Sequence, residues 1–326
     1  LFEQIKGFGS YGFPESHAAS FALITYVSCW LKCHHPSAFA ASLVNSQPLG
    51  FYTPDQILQD ARRHGVPVLP VDVRHSAWNC TLVPATQAGA LPGIRLGLRM
   101  VDGFSEDVAD ALVQARTRHA FDSVADLSQR ARLDRRHQGL LADAGALKGL
   151  SGHRHRARWD VSGVEKPLPL FEAVRATVEA DVALPAPSAF EDMQADYNST
   201  GTTLGQHMVS FIRADLQARR CQRSDQLAQL PHGRSVRFAG LVRMRQRPQT
   251  ASGVTFLTLE DECGMVNAVV WRRTADRQHR VLVEARLMQI DGRLERVDGV
   301  QHLIVQRMHN LDTLIDGVRT HSRDFH

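Results

Sequence analysis

The run Val254-Thr255-Phe256-Leu257-Thr258-Leu259-Glu260 and its sequel Val266-Asn267-Ala268-Val269-Val270-Trp271 are short and rich in β-branched and aromatic residues, as strands are. Similar runs occur at Val236 to Val242, Leu287 to Leu294 and Gln301 to Gln306, and Thr274 to Glu284, between the third and fourth runs, reads as helix. Five strands with a helix after the third is the order of a small OB barrel, whose second and third strands form a face that can take single-stranded nucleic acid.

Upstream of these strands the period changes. From Ser16 to about Ser46 apolar residues recur densely and Pro36 divides the run into two helices, which read as a buried unit. Pro54 to His64 reads as a helix with proline in its first turn and Gly65 as its stop. Val66 to Val73 reads as extended chain, and Trp78 to Val83 with Ile94 to Leu98 as a small hairpin. In Met100-Val101-Asp102-Gly103-Phe104-Ser105-Glu106 an apolar helix end meets a glycine turn and a serine placed to cap a helix running to about Arg118. A second helix, turn and helix span Asp126 to Arg158 around Asp143-Ala144-Gly145-Ala146. Prolines at 167, 169, 185 and 187 mark Pro167 to about Thr203 as a linker with one short helix, expected to be the most mobile part. The expected fold class is multidomain α + β. It has a helical segment at 1–66, a short β-hairpin with a tandem helix-hairpin-helix region at 67–165, a linker at 166–212 and a five-stranded OB-fold barrel at 213–326.

Composition narrows the function classes. The 326 residues, 43% of them hydrophobic, can fill ordinary cores, and 38 Lys plus Arg against 34 Asp plus Glu is a mildly basic balance. Nearly all of the positive charge is arginine, which suits phosphate and also follows from a GC-rich coding sequence. Five scattered cysteines make no disulfide framework, no long uncharged apolar run suggests a membrane span, and a reducing, cytoplasmic setting is expected. The chain opens on Leu1 in mid-helix without a capping residue, which reads as the continuation of an upstream sequence.

The chemistry-bearing candidates point to polyanion binding. Backbone N–H groups at a glycine turn and a helix N-terminus can hold a phosphate without reading sequence, which selects Val101, Gly103, Ser105 and Gly145; the competing reading is an ordinary glycine C-cap. Ten Arg and Lys against four Asp lie between Arg116 and Arg158, with Arg116 and Arg118 nearest the first turn. On the first barrel strand Arg243, Arg245 and Arg247 alternate and fall on one side, while Phe256 and Trp271 are either stacking platforms or core, and Arg272 and Arg273 extend a basic rim. Glu260-Asp261-Glu262 reads as a solvated turn rather than a metal site, and Cys29, Cys33, His34 and His35 lack the second ligand pair a zinc site needs. No metal site is expected. The chain has no Asp-x-Asp pair to hold the two metal ions of a polymerase, and no P-loop or nucleophile elbow.

The stretch from Gly9-Ser10-Tyr11-Gly12-Phe13-Pro14-Glu15-Ser16-His17 to Ile24, with Trp30-Leu31-Lys32 and Pro36-Ser37-Ala38-Phe39, resembles the fingers of C-family bacterial DNA polymerase α subunits. Its Pro-Glu-Ser-His form is similar to the error-prone branch. The resemblance continues through Leu69 to Val73, Gly97 to Gly103, Ala144 to Ala146 and Phe256 to Glu262, and so covers essentially the whole chain. It implies the C-terminal part of such a polymerase: the end of the fingers, the hairpin region and the OB domain. Palm carboxylates and Mg²⁺ would belong to the parent protein and match no residue here. It further implies that Ser16 and His17 lie near the incoming nucleotide, unless they simply cap a helix. The partners it implies are primer-template duplex, single-stranded template and accessory proteins of damage-induced mutagenesis. A sliding clamp would be reached only indirectly, since Phe190 to Tyr197 matches a clamp-binding peptide poorly. The function expected is to hold DNA for error-prone translesion synthesis; the rival is a platform for mutagenesis partner proteins on which DNA contact is incidental.

Overall fold

The computed structural model describes residues 15–49, 52–85, 87–164, 183–248, 253–297, 299–315 and 323–325. The chain divides into two compact units, Leu1–Val71 with His75–Arg99, and Asp72–Arg74 with Met100–His326.

The first unit holds helices Glu15–His34, Pro36–Asn45 and Pro54–Arg63. Pro36 opens the second helix, where its missing N–H costs nothing, and that helix buries Ser37, Ala40, Ala41 and Val44. The first helix differs from the buried unit expected: Phe21, Leu23, Ile24 and Tyr26 are 51%, 66%, 58% and 69% exposed. Its apolar residues are spread around the helix rather than gathered in one stripe, so packing along one side leaves most of them outside. Thr53 and Gln56 form a reciprocal capping box on the third helix. A small sheet completes the unit, with β3 (Gly93–Arg95) pairing parallel to β1 (Val68–Leu69) and antiparallel to β2 (Thr81–Val83).

In the second unit, helices Glu106–Arg118, Val124–Arg130, Arg135–Asp143, Lys148–Ser151 and Arg154–Ser162 follow one another closely. Side-chain caps fix three of the starts: Ser123 accepts from Asp126 N–H at 3.1 Å, Asp134 from His137 N–H at 2.8 Å and His153 from Arg156 N–H at 3.2 Å.

The barrel contains the five expected strands, β4 (Ser235–Gln246), β5 (Thr255–Glu260), β6 (Met265–Val270), β7 (Leu287–Val297) and β8 (Val300–Asn310). They close in the ring order β4, β5, β6, β8, β7 and back to β4, with only β6 and β8 parallel, and β9 (Arg323–Phe325) adds parallel to β4. One strand can border two because β4 pairs with β7 over Ser235 to Leu241 and with β5 over Leu241 to Gln246, bending at an irregularity between Val242 and Met244. Phe238, Leu257, Leu259, Val270, Ile290 and Leu303 fill the interior, under helices Arg272–Arg277 and His279–Glu284.

The supposed linker is the largest departure from expectation. Residues 165–182 lie outside the described residues, but Ala189–Thr200 is a helix opened by a Ser188–Glu191 capping box. Its Met193 and Tyr197, with Met208, Val209, Ile212 and Leu216, bury against Ala239, Leu241 and Leu287 on the outer side of β4 and β7. Pro185 and Pro187 precede the cap, where they direct the chain into a helix rather than interrupt one. The barrel is thus covered on the β4–β7 side.

Candidate nucleic-acid interface

The first glycine turn is built by a 3₁₀ turn at Leu98–Met100, shorter than the helix end expected, followed by Val101, Asp102 and Gly103. Gly103 has φ +74°, a conformation that disfavours any Cβ, and is exposed, whereas Val101 is buried and anchors the turn. Ser105 stands at the N-cap of Glu106–Arg118 with extended backbone, but its side chain makes no cap bond. The Asp102 N–H donates to the Ser199 carbonyl at 2.8 Å and the Phe104 N–H to Val101 at 3.1 Å. Arg136, which the sequence did not single out, reaches this turn, its Nη2 3.4 Å from the Gly103 carbonyl. It lies 33 residues away in sequence, so only the folded hairpins bring the two together.

The second turn has the same conformation and the opposite setting. Gly145 has φ +69° and closes Arg135–Asp143, with Ala146 N–H donating to Leu141 and Gly145 N–H to Ala142. It is buried, and a Cβ there would stand 3.0 Å from Arg154 Nη2. Arg154 is 5% exposed; it donates to the Asp143 carbonyl and pairs with Asp192 and Asp196 of the Ala189–Thr200 helix. Gly145 therefore does not present its amide as the sequence reading supposed, because a helix arriving from fifty residues downstream covers it.

The basic run is also less open than its count suggests. Arg116 donates to the Val73 carbonyl at 2.7 Å, Arg130 to three carbonyls and Asp126, and Arg156, Arg158 and Lys148 pair with Asp160, Asp143 and Asp192. Arg118, Arg132, Arg135 and Arg136 remain exposed, on the side of the first turn's helix and of Arg135–Asp143.

On the barrel the three alternating arginines part company. Arg243 is 6% exposed and paired with Glu260, and Arg245 is 8% exposed and donates to the carbonyls of Leu282 and Ala285, at the C-terminal end of His279–Glu284. These two are structural arginines held inside the fold, which corrects the expectation of a common basic rim. Arg247, beyond the strand, is exposed. A Cβ at Gly253 would stand 3.1 Å from Arg272 Cδ and 3.5 Å from Arg247 Nη2, so the loop between β4 and β5 brings both arginines to one place. Arg273 is exposed beside them.

The outer face of β5 and β6 is open. Leu257 and Leu259 point into the barrel, which turns Phe256 outward, 38% exposed, with Val269 opposite it across the pair. Trp271 follows Val269 by two residues and is 55% exposed. Thr258 and Asn267 continue the row, joined at 3.1 Å, and Met265 ends it. Two exposed aromatics beside Arg247, Arg272 and Arg273 combine stacking surface with phosphate-directed charge.

The acidic turn is a buried anchor, not a solvated loop. Asp261 accepts from Ser224 N–H and Oγ and from the Cys263 and Gly264 N–H groups, and Arg213 pairs with Glu262 at 2.5 Å. Burial pushes the Glu260 carboxyl up, but His207, 3.9 Å away, and the Arg243 guanidinium outweigh it and hold it at about 2. These carboxylates are committed to arginines and amides, and among the described residues no group of three or more His, Cys, Asp or Glu could hold a metal ion. No described helix is long and apolar enough to cross a membrane. In Glu15–His34, His17 lies against Phe21 with ring centroids 4.2 Å apart, Ser16 stands in the same first turn, and Trp30 packs on His34 and His35. In Phe190 to Tyr197 the side chains of Met193 and Tyr197 are buried and Asp196 is bound to Arg154.

Comparisons with known proteins agree with this geometry. A helix-hairpin-helix motif family matches residues 65–157, and an OB-fold nucleic acid binding domain family matches residues 236–311. The chain is 61% identical over 326 residues to an error-prone DNA polymerase of Pseudomonas fluorescens Pf0-1, covering 100% of this chain and 32% of that protein. It is 58% identical to that of Pseudomonas aeruginosa PAO1, covering 31% of it, and 52% identical to that of Alkalilimnicola ehrlichii, covering 32%. The chain spans about a third of the length of these relatives. Over that span it is similar to error-prone DNA polymerases, and it carries a helix-hairpin-helix motif and an OB-fold nucleic acid binding domain.

Proposed function

We propose that this chain holds DNA for an error-prone polymerase acting in translesion synthesis. The hairpin turn at Gly103 grips duplex phosphates and the β5–β6 face of the barrel takes single-stranded template. The observation that carries the reading is that face, where Phe256 and Trp271 stand exposed beside Arg247, Arg272 and Arg273. Nucleotidyl transfer and its Mg²⁺ ions belong, on this reading, to the rest of the parent polymerase, as does the recruitment of accessory proteins of damage-induced mutagenesis. Binding is sequence-blind and salt-sensitive, because stacking and phosphate contacts read no base edges.

The test is a fluorescence-anisotropy titration against a primed template with a single-stranded overhang, at low and moderate salt. Each stacked base contributes about 1–3 kcal/mol, so Trp271→Ala should weaken binding roughly fivefold or more. Absence of binding at low salt would sink the reading and leave the protein-interaction platform as the better account.

A further inference from the structure

Among the ring strands, β7 borders neither β5 nor β6, and on the outer side that it shares with β8 the barrel carries arginines that the aromatic face does not use. An open cleft of about 510 Å³ is lined there by Arg277, Gln278, Asp291, Gln306 and Arg307. Its wall is fixed: Gln278 Nε2 donates to the Met308 carbonyl at 2.8 Å, and the Met308 N–H returns a bond to Gln278 Oε1 at 3.0 Å. The end of the Arg272–Arg277 helix is thereby pinned against β8.

The charge in this cleft is not cancelled. Asp291 is its one carboxylate, and Arg237 takes it at 2.7 Å, with Gln289 at 3.2 Å and His309 at 3.7 Å. Arg277 gives one N–H to the Gln306 carbonyl at 3.0 Å, which leaves most of its five donors open. Arg307 faces Asp291 across the β7–β8 pair, yet among the described residues its guanidinium forms no hydrogen bond or ion pair. Asp291 is thus taken by Arg237, and the guanidiniums of Arg277 and Arg307 open onto the cleft.

We propose that Arg277 and Arg307 form a second phosphate-binding site, in the cleft on the β7–β8 surface of the barrel. Guanidinium forks match the oxygens of a phosphate two at a time, and a neighbouring carboxylate already neutralised by its own arginine does not repel the anion. The phosphate is either one in a nucleic-acid strand that has passed beyond the aromatic face, or a free phosphate group. The strand source rests on the proposed function; the free source does not.

The experiment compares the 326-residue chain with its Arg277→Gln/Arg307→Gln variant, binding a short single strand and one of about 30 nucleotides, longer than the roughly 4–16 that one such barrel covers. On the long strand, losing two phosphate contacts should lower the slope of log K against log salt by about 1.4, with no change on the short one. Trp271→Ala should weaken both strands and leave the slopes alone. If the slopes do not move but calorimetric titration with inorganic phosphate gives a signal that the variant loses, the site takes free phosphate. The proposal is overturned if slopes and phosphate titration are both unchanged. Should the native chain bind no strand at low salt, the proposed function fails separately and the phosphate titration alone decides. If the double variant melts early, Arg307→Gln, which gives up no contact, carries the test with a slope change of about 0.7.

Discussion

The two glycine turns share a backbone conformation and differ in everything that decides use. Gly103 and Gly145 have φ of +74° and +69°. The first is exposed, beside an Arg136 that has little else to hold; the second lies under Arg154, which two aspartates of a distant helix keep in place. The same division runs along β4, where Arg243 and Arg245 are enclosed and Arg247 is not. Turn chemistry and strand alternation determine where a residue points. Whether it meets solvent depends on which later segment packs over it.

If that division is right, substitutions on the enclosed side cost stability and those on the open side cost affinity. Arg243→Ala should have the largest effect, about 3–5 kcal/mol by urea denaturation, because it takes the buried guanidinium away from the buried Glu260 carboxylate. A loss below about 1 kcal/mol would mean that the pair is solvated after all. The same carboxylate gives a pH signature. Its pKa in the fold, about 2, lies below the ordinary 4.5, so its stabilisation is present above 4.5 and is lost as pH falls toward 2. That difference is worth about 3 kcal/mol, and Glu260→Gln should flatten the acid limb of a Tm against pH curve. An unaltered acid limb would assign acid sensitivity to other groups.

Arg154→Ala comes next, at about 2–3 kcal/mol, less than a fully buried pair because Asp192 and Asp196 are partly exposed. Arg136→Ala is the matching change on the open turn. It should move stability by no more than about 0.5 kcal/mol and weaken DNA binding, as read by anisotropy. Equal losses of stability at the two sites would erase the contrast.

Much of the fold was legible in the sequence because its signals are local. The five strands, the helix after the third, the Pro36 break and both glycine turns follow from period, proline and glycine. What was missed depends on long-range packing. Pro185 and Pro187 suggested a linker, but Met193 and Tyr197 find a core on β4 and β7 that no local window contains. Glu260-Asp261-Glu262 looked like a solvated turn because Arg213, Ser224 and Arg243 reach it from elsewhere in the chain. Of the proposed site, Phe256 and Trp271 could be named but not oriented; the inward phase of Leu257 and Leu259 is what turns Phe256 out.

Substituting the glycines themselves separates the two turns most directly. Alanine at either glycine carries a left-handed backbone cost of about 1 kcal/mol. At Gly103 the nearest atom to a new Cβ is Arg136 Nη2 at 3.2 Å, the far end of an exposed side chain that can swing away. At Gly145 the atoms are those of Arg154 at 3.0–3.2 Å, and its two ion pairs prevent it from moving. Gly145→Ala should therefore destabilise by about 2 kcal/mol and Gly103→Ala by about 1, while only Gly103→Ala weakens duplex binding at a temperature where both variants are folded. If instead Gly145→Ala lost the duplex while still folded, the covered turn would have to open to DNA, and the helix over it would be a gate rather than a brace.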